Sequence, residues 1–220
     1  MNTRILAACL LTSSFLAGCA SDSVKNSDNP EVIYNAAVKF IEKSRYLDAI
    51  DHLNEIRHRF PQSRFAALAE LKTGDMEFKQ ENYTEAAASY KVFVELYPNH
   101  AEAAYAAYQR ALSYYNDTPD VEARDQGTAR DANEVAEQLI ARYPKSEYVP
   151  KAKELIVKGR RKLALKEAYV ARFYERRGAK TAALKRWQLL LKDYADLKAD
   201  PESAGLMAEA EKKTQQLGGS

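Results

Sequence analysis

Cysteine is nearly missing from this sequence. Only Cys9 and Cys19 occur in 220 residues, so everything beyond position 19 is without a possible disulfide or thiolate metal site. Glycine is scarce too, with 8 residues too scattered to build a phosphate-cradling loop, and no Gly-x-Ser-x-Gly elbow occurs. His52, His58 and His100 stand singly; His52 and His58 are six apart, off the four-residue spacing that aligns two ligands on one helix face, and there is no HExxH. Carboxylate pairs such as Glu134 and Glu137 have the spacing of an ordinary helix surface. These absences lead us to expect no enzyme, no cofactor and no metal. The apolar run Ile5–Leu16 has twelve residues, short of the roughly 20 that a spanning helix needs. A formal charge of +2 and the lack of a reader motif argue against a nucleic-acid partner.

What remains is helix-forming. Hydrophobic residues make up 46% and charged residues 29% of the chain, with Ala, Leu, Glu and Lys dominant, which favours helix over sheet. Glu81 to Pro98, ENYTEAAASYKVFVELYP, shows a pattern that recurs. Ala86 is followed by apolar residues four and seven positions on, then by an aromatic and a Pro. Ala49, Leu53, Ile56 and Phe60-Pro61 fit this template. So do Ala132, Ala136, Leu139 and Tyr143-Pro144, and Ala183, Trp187, Leu190 and Tyr194, which lacks the Pro. Four copies of one spacing predict a helical repeat array.

The N-terminus reads as an address. Arg4 gives a positive start, Ile5–Leu16 an apolar core, and Leu16-Ala17-Gly18-Cys19 resembles the bacterial lipobox, in which cleavage precedes a Cys that is then acylated. An ordinary signal peptide with an incidental Cys is the alternative. Residues 1–18 are thus expected to be a signal peptide and Cys19 the lipidation site, with attachment to the membrane through the lipid alone. Ala20 after the Cys, as in lipoproteins of this kind, implies export to the outer membrane. Residues 19–29 are polar and read as a flexible tether.

Residues 30–220 are expected to form an all-α, right-handed solenoid of about four helix pairs (30–61, 64–98, 101–144 and 147–195) with a capping helix at 202–216. Asn29, Ser63, Asn99 and Ser146 are the expected helix caps. Gly74, twelve residues before Ala86, predicts close helix packing. An insertion at 116–127 interrupts the third pair. The leading helix of the fourth, predicted from Glu147 to about Arg177, is unusually long and ends at Gly178 as the residue beyond its C-cap. Residues 151–186 hold 13 Lys or Arg against 3 Asp or Glu, a local +10.

The body resembles tetratricopeptide repeats, and more closely the BamD family of outer-membrane-protein assembly lipoproteins of Gram-negative bacteria. The residues that carry this are Leu16–Cys19, Ile33-Tyr34, Arg124-Asp125 with Ala129-Arg130, Tyr143–Tyr148, and Phe173–Ala179, together with the insertion and the long helix. The match covers about residues 16–195. The family generally has a complete fifth pair where a single helix is expected here. The resemblance implies a scaffold on the periplasmic face of the outer membrane. It would bind the periplasmic POTRA region of the barrel protein BamA, unfolded outer-membrane proteins through their C-terminal signal, and other Bam lipoproteins. The family's BamA-contacting Arg, counted from Gly178-Ala179, falls on Arg186. By the tetratricopeptide register, Tyr34, Val38, Ile41, Leu71, Asp75 and Phe78 face a peptide groove, with Tyr105 and Tyr108 near; packing between repeats is the alternative for each. A periplasmic lipoprotein that regulates peptidoglycan synthesis or hydrolysis is the second functional reading.

Overall fold

The computed structural model describes residues 24–219. The signal sequence, the lipobox and Cys19 lie outside the described residues. From Pro30 onward there are nine α-helices: α1 Pro30–Glu42, α2 Tyr46–Arg59, α3 Arg64–Lys79, α4 Tyr83–Leu96, α5 Ala103–Asn116, α6 Gly127–Arg142, α7 Val149–Arg176, α8 Lys180–Asp193 and α9 Ala204–Gly218. Two short 3-10 turns, Ala195–Ala199 and Pro201–Ser203, precede α9. No strand occurs among the described residues. The chain divides into two compact units, Met1–Thr73 and Gly74–Ser220, with the boundary inside α3.

The repeat template is the core. All twelve of its small and apolar positions, from Ala49 to Leu190, are at most 1% exposed. Four, then three, residues carry the chain round the same face of a helix, so each copy delivers one buried stripe. The aromatic that follows has a second role. Phe60, Tyr97, Tyr143 and Tyr194 are each the C-cap of their helix, with φ between −122 and −128°. Each returns its N–H to the carbonyl of the template's third position: Ile56, Phe93, Leu139 and Leu190. A following Pro disfavours helical backbone at the residue before it, and the three Pro-followed caps have ψ of 51, 53 and 58°. Tyr194, which has no Pro after it, relaxes to ψ 30° and runs on into a 3-10 turn.

In the first unit, α1 and α2 form a hairpin around Ile33, Ala37, Leu53, Ile56 and Ala69, with Tyr34, Phe60 and Phe65 packed against them. Asn29 caps α1 by accepting from the Glu31 N–H at 2.9 Å, and Ser63 accepts from Phe65 N–H at 3.2 Å. Residues 24–29, assigned from composition to the flexible tether, are held. Arg59 on α2 pairs with Asp28 at 2.8 Å and donates to the Lys25 carbonyl at 3.3 Å.

In the second unit each helix of α4 to α9 packs on the next along the chain, and α7 also meets α5 and α9. Gly74 does mark a close approach: a Cβ there would come within 3.0 Å of the Tyr90 ring. Asn99 does not cap α5 as expected: the N-cap is Glu102, with no side-chain cap hydrogen bond, and in the turn before it His100 Nδ1 accepts from Glu102 N–H at 3.1 Å. Ser146 accepts from Tyr148 N–H at 3.2 Å, and α7 begins at Val149 with Pro150 in its first turn. The hairpin turns within the pairs share one geometry. Ser44, Glu81 and Gly178 have φ of 56, 61 and 72°, and the next residue's N–H reaches back five positions, to Phe40, Glu77 and Tyr174 respectively. This is the 6→1 bond of a Schellman turn. Only one of the three uses glycine.

Candidate functional site

Helix α7 carries the basic stretch, and most of its cations are already matched. Arg160 holds Asp196 with two hydrogen bonds at 2.7 and 2.5 Å and donates to the Asp193 carbonyl at 2.6 Å. Arg161 binds Asp200 at 3.0 and 2.8 Å and also Glu202. Arg172 pairs with Glu209 at 2.9 Å. Lys162 reaches Asp120 and the Thr118 carbonyl, both at 3.1 Å, and Lys166 reaches the Ala123 and Arg124 carbonyls at 2.9 and 3.1 Å. The insertion at 116–127 and the segment after α8 are therefore both clamped onto α7. The Arg160 hydrogen bonds hold Asp196 below its usual range, and Arg172 does the same for Glu209; Asp200 is lowered first by Ser203 and then by Arg161. Beneath these pairs lies an apolar cluster that includes Trp187, Leu190, Leu197, Met207 and Ala210.

The turn from α7 to α8 differs. Its one acid, Glu175, points inward, accepting from Trp187 Nε1 at 2.6 Å and from Lys213 at 2.5 Å. Arg176, Arg177 and Lys180 are exposed and make no ion pair among the described residues. Arg177 lies over the ring of Phe173, 5.4 Å from its centroid, and Phe173 itself is 40% exposed. Arg186 on α8 keeps 40% of its side chain exposed while Nη1 contacts Glu167 at 3.0 Å. The local +10 of the sequence is thus not one basic surface. Its unmatched part is concentrated at this turn and at Lys151, Lys153 and Lys185.

The expected groove positions fall into separate groups. In the first unit Tyr34 rests against Phe65 with centroids 5.4 Å apart, and Val38 and Ile41 are half-buried. Leu71 is 6% exposed, so its apolar surface serves the core rather than an open face. In the second unit Asp75 accepts from Tyr90 Oη at 3.0 Å and Tyr105 Oη at 2.9 Å. It is a structural acid that ties α3, α4 and α5 together, not a lining residue. Burial, and next the Asp75 charge, push the Tyr105 phenol up to about 12. Phe78 packs edge-on to Tyr83 at 5.3 Å. Tyr108 joins a residue that the sequence marked only as the end of the Tyr143–Tyr148 motif: Tyr148, at the N-cap of α7, stacks on it at 5.5 Å and 26°.

The chain matches the family model for outer membrane lipoprotein YfiO over residues 26–218. The chain belongs to this family. It is similar to outer membrane protein assembly factor BamD of Caulobacter vibrioides, 28% identical over 92% of this chain and 68% of that protein. The BamD of Neisseria meningitidis serogroup B is 30% identical over 90% of this chain and 80% of its own length. That of Rickettsia prowazekii is 28% identical over 98% and 90%. The YfiO match extends through α9, beyond the residue 195 at which the sequence motifs stop, so the terminal helix is part of the family body. No helix among the described residues is long and apolar enough to cross a membrane.

Proposed function

We propose that this chain is an outer-membrane assembly lipoprotein, tethered through acylated Cys19 at the periplasmic face. It works as a non-enzymatic scaffold that joins the POTRA region of BamA to unfolded outer-membrane proteins and promotes their insertion. The YfiO family match over residues 26–218 carries this reading, and the assembly-factor names of the relatives support it over the regulation of peptidoglycan enzymes. Arg186 on α8, which shares its charge with Glu167, supplies the BamA contact together with Arg176, Arg177 and Lys180 of the α7–α8 turn, which make no ion pair among the described residues. Cations that no carboxylate of the same chain neutralises attract an acidic partner surface, raising encounter rate more than final affinity.

Co-purification from detergent-solubilised membranes tests the proposal. The wild-type chain should bring down BamA. Arg186→Glu should bring down several-fold less, with unchanged helicity by circular dichroism. Because Glu167 faces Arg186 at 3.0 Å, Arg186→Gln is the companion that loses the cation without adding repulsion. BamA recovery unaltered by both variants would remove Arg186 from the interface, and no BamA with the wild type would overturn the proposal.

A further inference from the structure

The segment that leads into α1 is fastened to the far end of α2. Arg59, in the last turn of α2, pairs with Asp28 at 2.8 Å and donates to the Lys25 carbonyl at 3.3 Å. The Lys25 ammonium reaches Asp51, two turns back along α2, at 3.7 Å. The segment is also folded on itself: Ser27 N–H donates to the Val24 carbonyl at 3.1 Å, and Ser27 Oγ accepts from Asn29 N–H at 3.2 Å. Arg59 is steadied by Glu55 at 3.3 Å and by the Phe60 ring, whose centroid lies 5.0 Å away. These contacts are nevertheless thin. The Asp28 side chain is 100% exposed and that of Asp51 68%, and ion pairs so open to water are weak and screened by salt. The segment can therefore leave α2 without disturbing the apolar core of the hairpin.

We propose that Lys25, Asp28, Asp51 and Arg59 form a latch that sets the length of the leash between the lipid anchor and the first helix pair. This rests on the lipoprotein reading above, in which Cys19 is acylated and so sits at the lipid headgroups. Val24 is five residues beyond Cys19, a span of at most about 18 Å however the chain runs. With the latch closed, that short span ends on the Arg59 end of α2. With it open, the leash runs on to Pro30, eleven residues from Cys19, and reaches about 40 Å. The closed latch thus holds one end of the hairpin at the bilayer surface. The α1–α2 turn, at the other end of a helix of 14 residues, stands about 20 Å farther along the axis. An open latch removes this bias and lets either end approach the lipid.

The test uses the full lipidated chain in vesicles of phosphatidylethanolamine and phosphatidylglycerol. Trypsin cuts after Lys25 only when it can take that side chain and that carbonyl, and the latch engages both. In a brief digest the cutting rate follows the open population, read by mass spectrometry as the fragment beginning at Asn26. Asp28→Asn, at a fully exposed side chain, leaves the fold alone and should be cut about 3-fold faster, the scale of one exposed ion pair. Arg59→Gln also loses the bond to the Lys25 carbonyl and should be cut about 10-fold faster. The leash is read separately, by energy transfer to a labelled lipid from a dye at Gln62→Cys, just beyond α2, or at Lys43→Cys, by the α1–α2 turn. The wild type should transfer more from position 62 than from position 43, and Arg59→Gln should shrink that difference about 2-fold, as the leash doubles. Equal cutting of Lys25 in the wild type and both variants would overturn the latch. Faster cutting in Arg59→Gln with an unchanged difference in transfer would overturn its control of the leash. The mass of the purified chain separates these failures from the underlying reading: a chain without acyl groups on Cys19 overturns the lipoprotein assignment itself.

Discussion

Residues 158–172 of α7 and the turn at 176–180 are both rich in positive charge but use it in opposite ways. Along 158–172 the arginines are turned towards carboxylates that arrive from elsewhere in the chain, Asp196, Asp200 and Glu209. At the turn, Glu175 faces inward to Trp187 and Lys213, and the cations face out. Charge in a sequence is thus not charge on a surface: what decides is whether the fold brings a partner. The first region holds the C-terminal segment in place, and the second is left for another molecule.

Five changes probe the fold and this contrast. Trp187→Ala removes the largest buried side chain under the clamped segment and leaves Glu175 with Lys213 as its remaining partner; we expect a loss of about 3–5 kcal/mol, measured as the denaturation midpoint. Gly178→Ala meets nothing within 4 Å, so its cost comes from φ +72° alone, about 1–2 kcal/mol. It should also weaken BamA recovery, because it distorts the turn. Glu81→Gly, which relieves the same strain at φ 61°, should gain about 1 kcal/mol.

Arg160→Ala breaks a pair whose members are partly exposed, side chains 28 and 50%, and should cost about 1 kcal/mol or less. This contribution depends on pH. Asp196 and Glu209 have folded pKa values depressed from 3.8 and 4.5, so the stabilisation is complete above those values and disappears as pH falls through the depressed ones. The difference in thermal midpoint between the wild type and Arg160→Ala should therefore begin to narrow below about pH 4 and vanish once the pH has fallen through the depressed pKa of Asp196. Arg177→Glu is the smallest change in stability, within about 0.5 kcal/mol, and should still reduce BamA recovery. If it destabilises the fold as much as Arg160→Ala does, the contrast between the two regions is wrong.

The hairpin turns show where sequence reading stops. Gly178 announced its turn, because glycine is the residue that favours positive φ. Ser44 and Glu81 adopt the same backbone without that signal, held there by the helices that pack on either side. Asn99 misled for a similar reason: its residue type suits a cap, but the loop path moves the start of α5 to Ala103, with Glu102 as N-cap and His100 closing the turn before it. Tyr148 stood in the sequence only as the end of the Tyr143–Tyr148 motif. Its stacking on Tyr108 depends on how α5 and α7 meet, 40 positions apart in the chain.

By itself the sequence determined the helices, their pairing and the twelve buried positions of the repeat. Those follow from spacing along one helix and from the next residue in the chain, and local order is enough to specify them. The tertiary structure alone decided which of the α7 cations are neutralised. Apart from Lys158, which pairs with Glu154 on the same helix, their carboxylate partners lie 36 to 42 positions away, and such an ion pair exists only where two side chains meet in space.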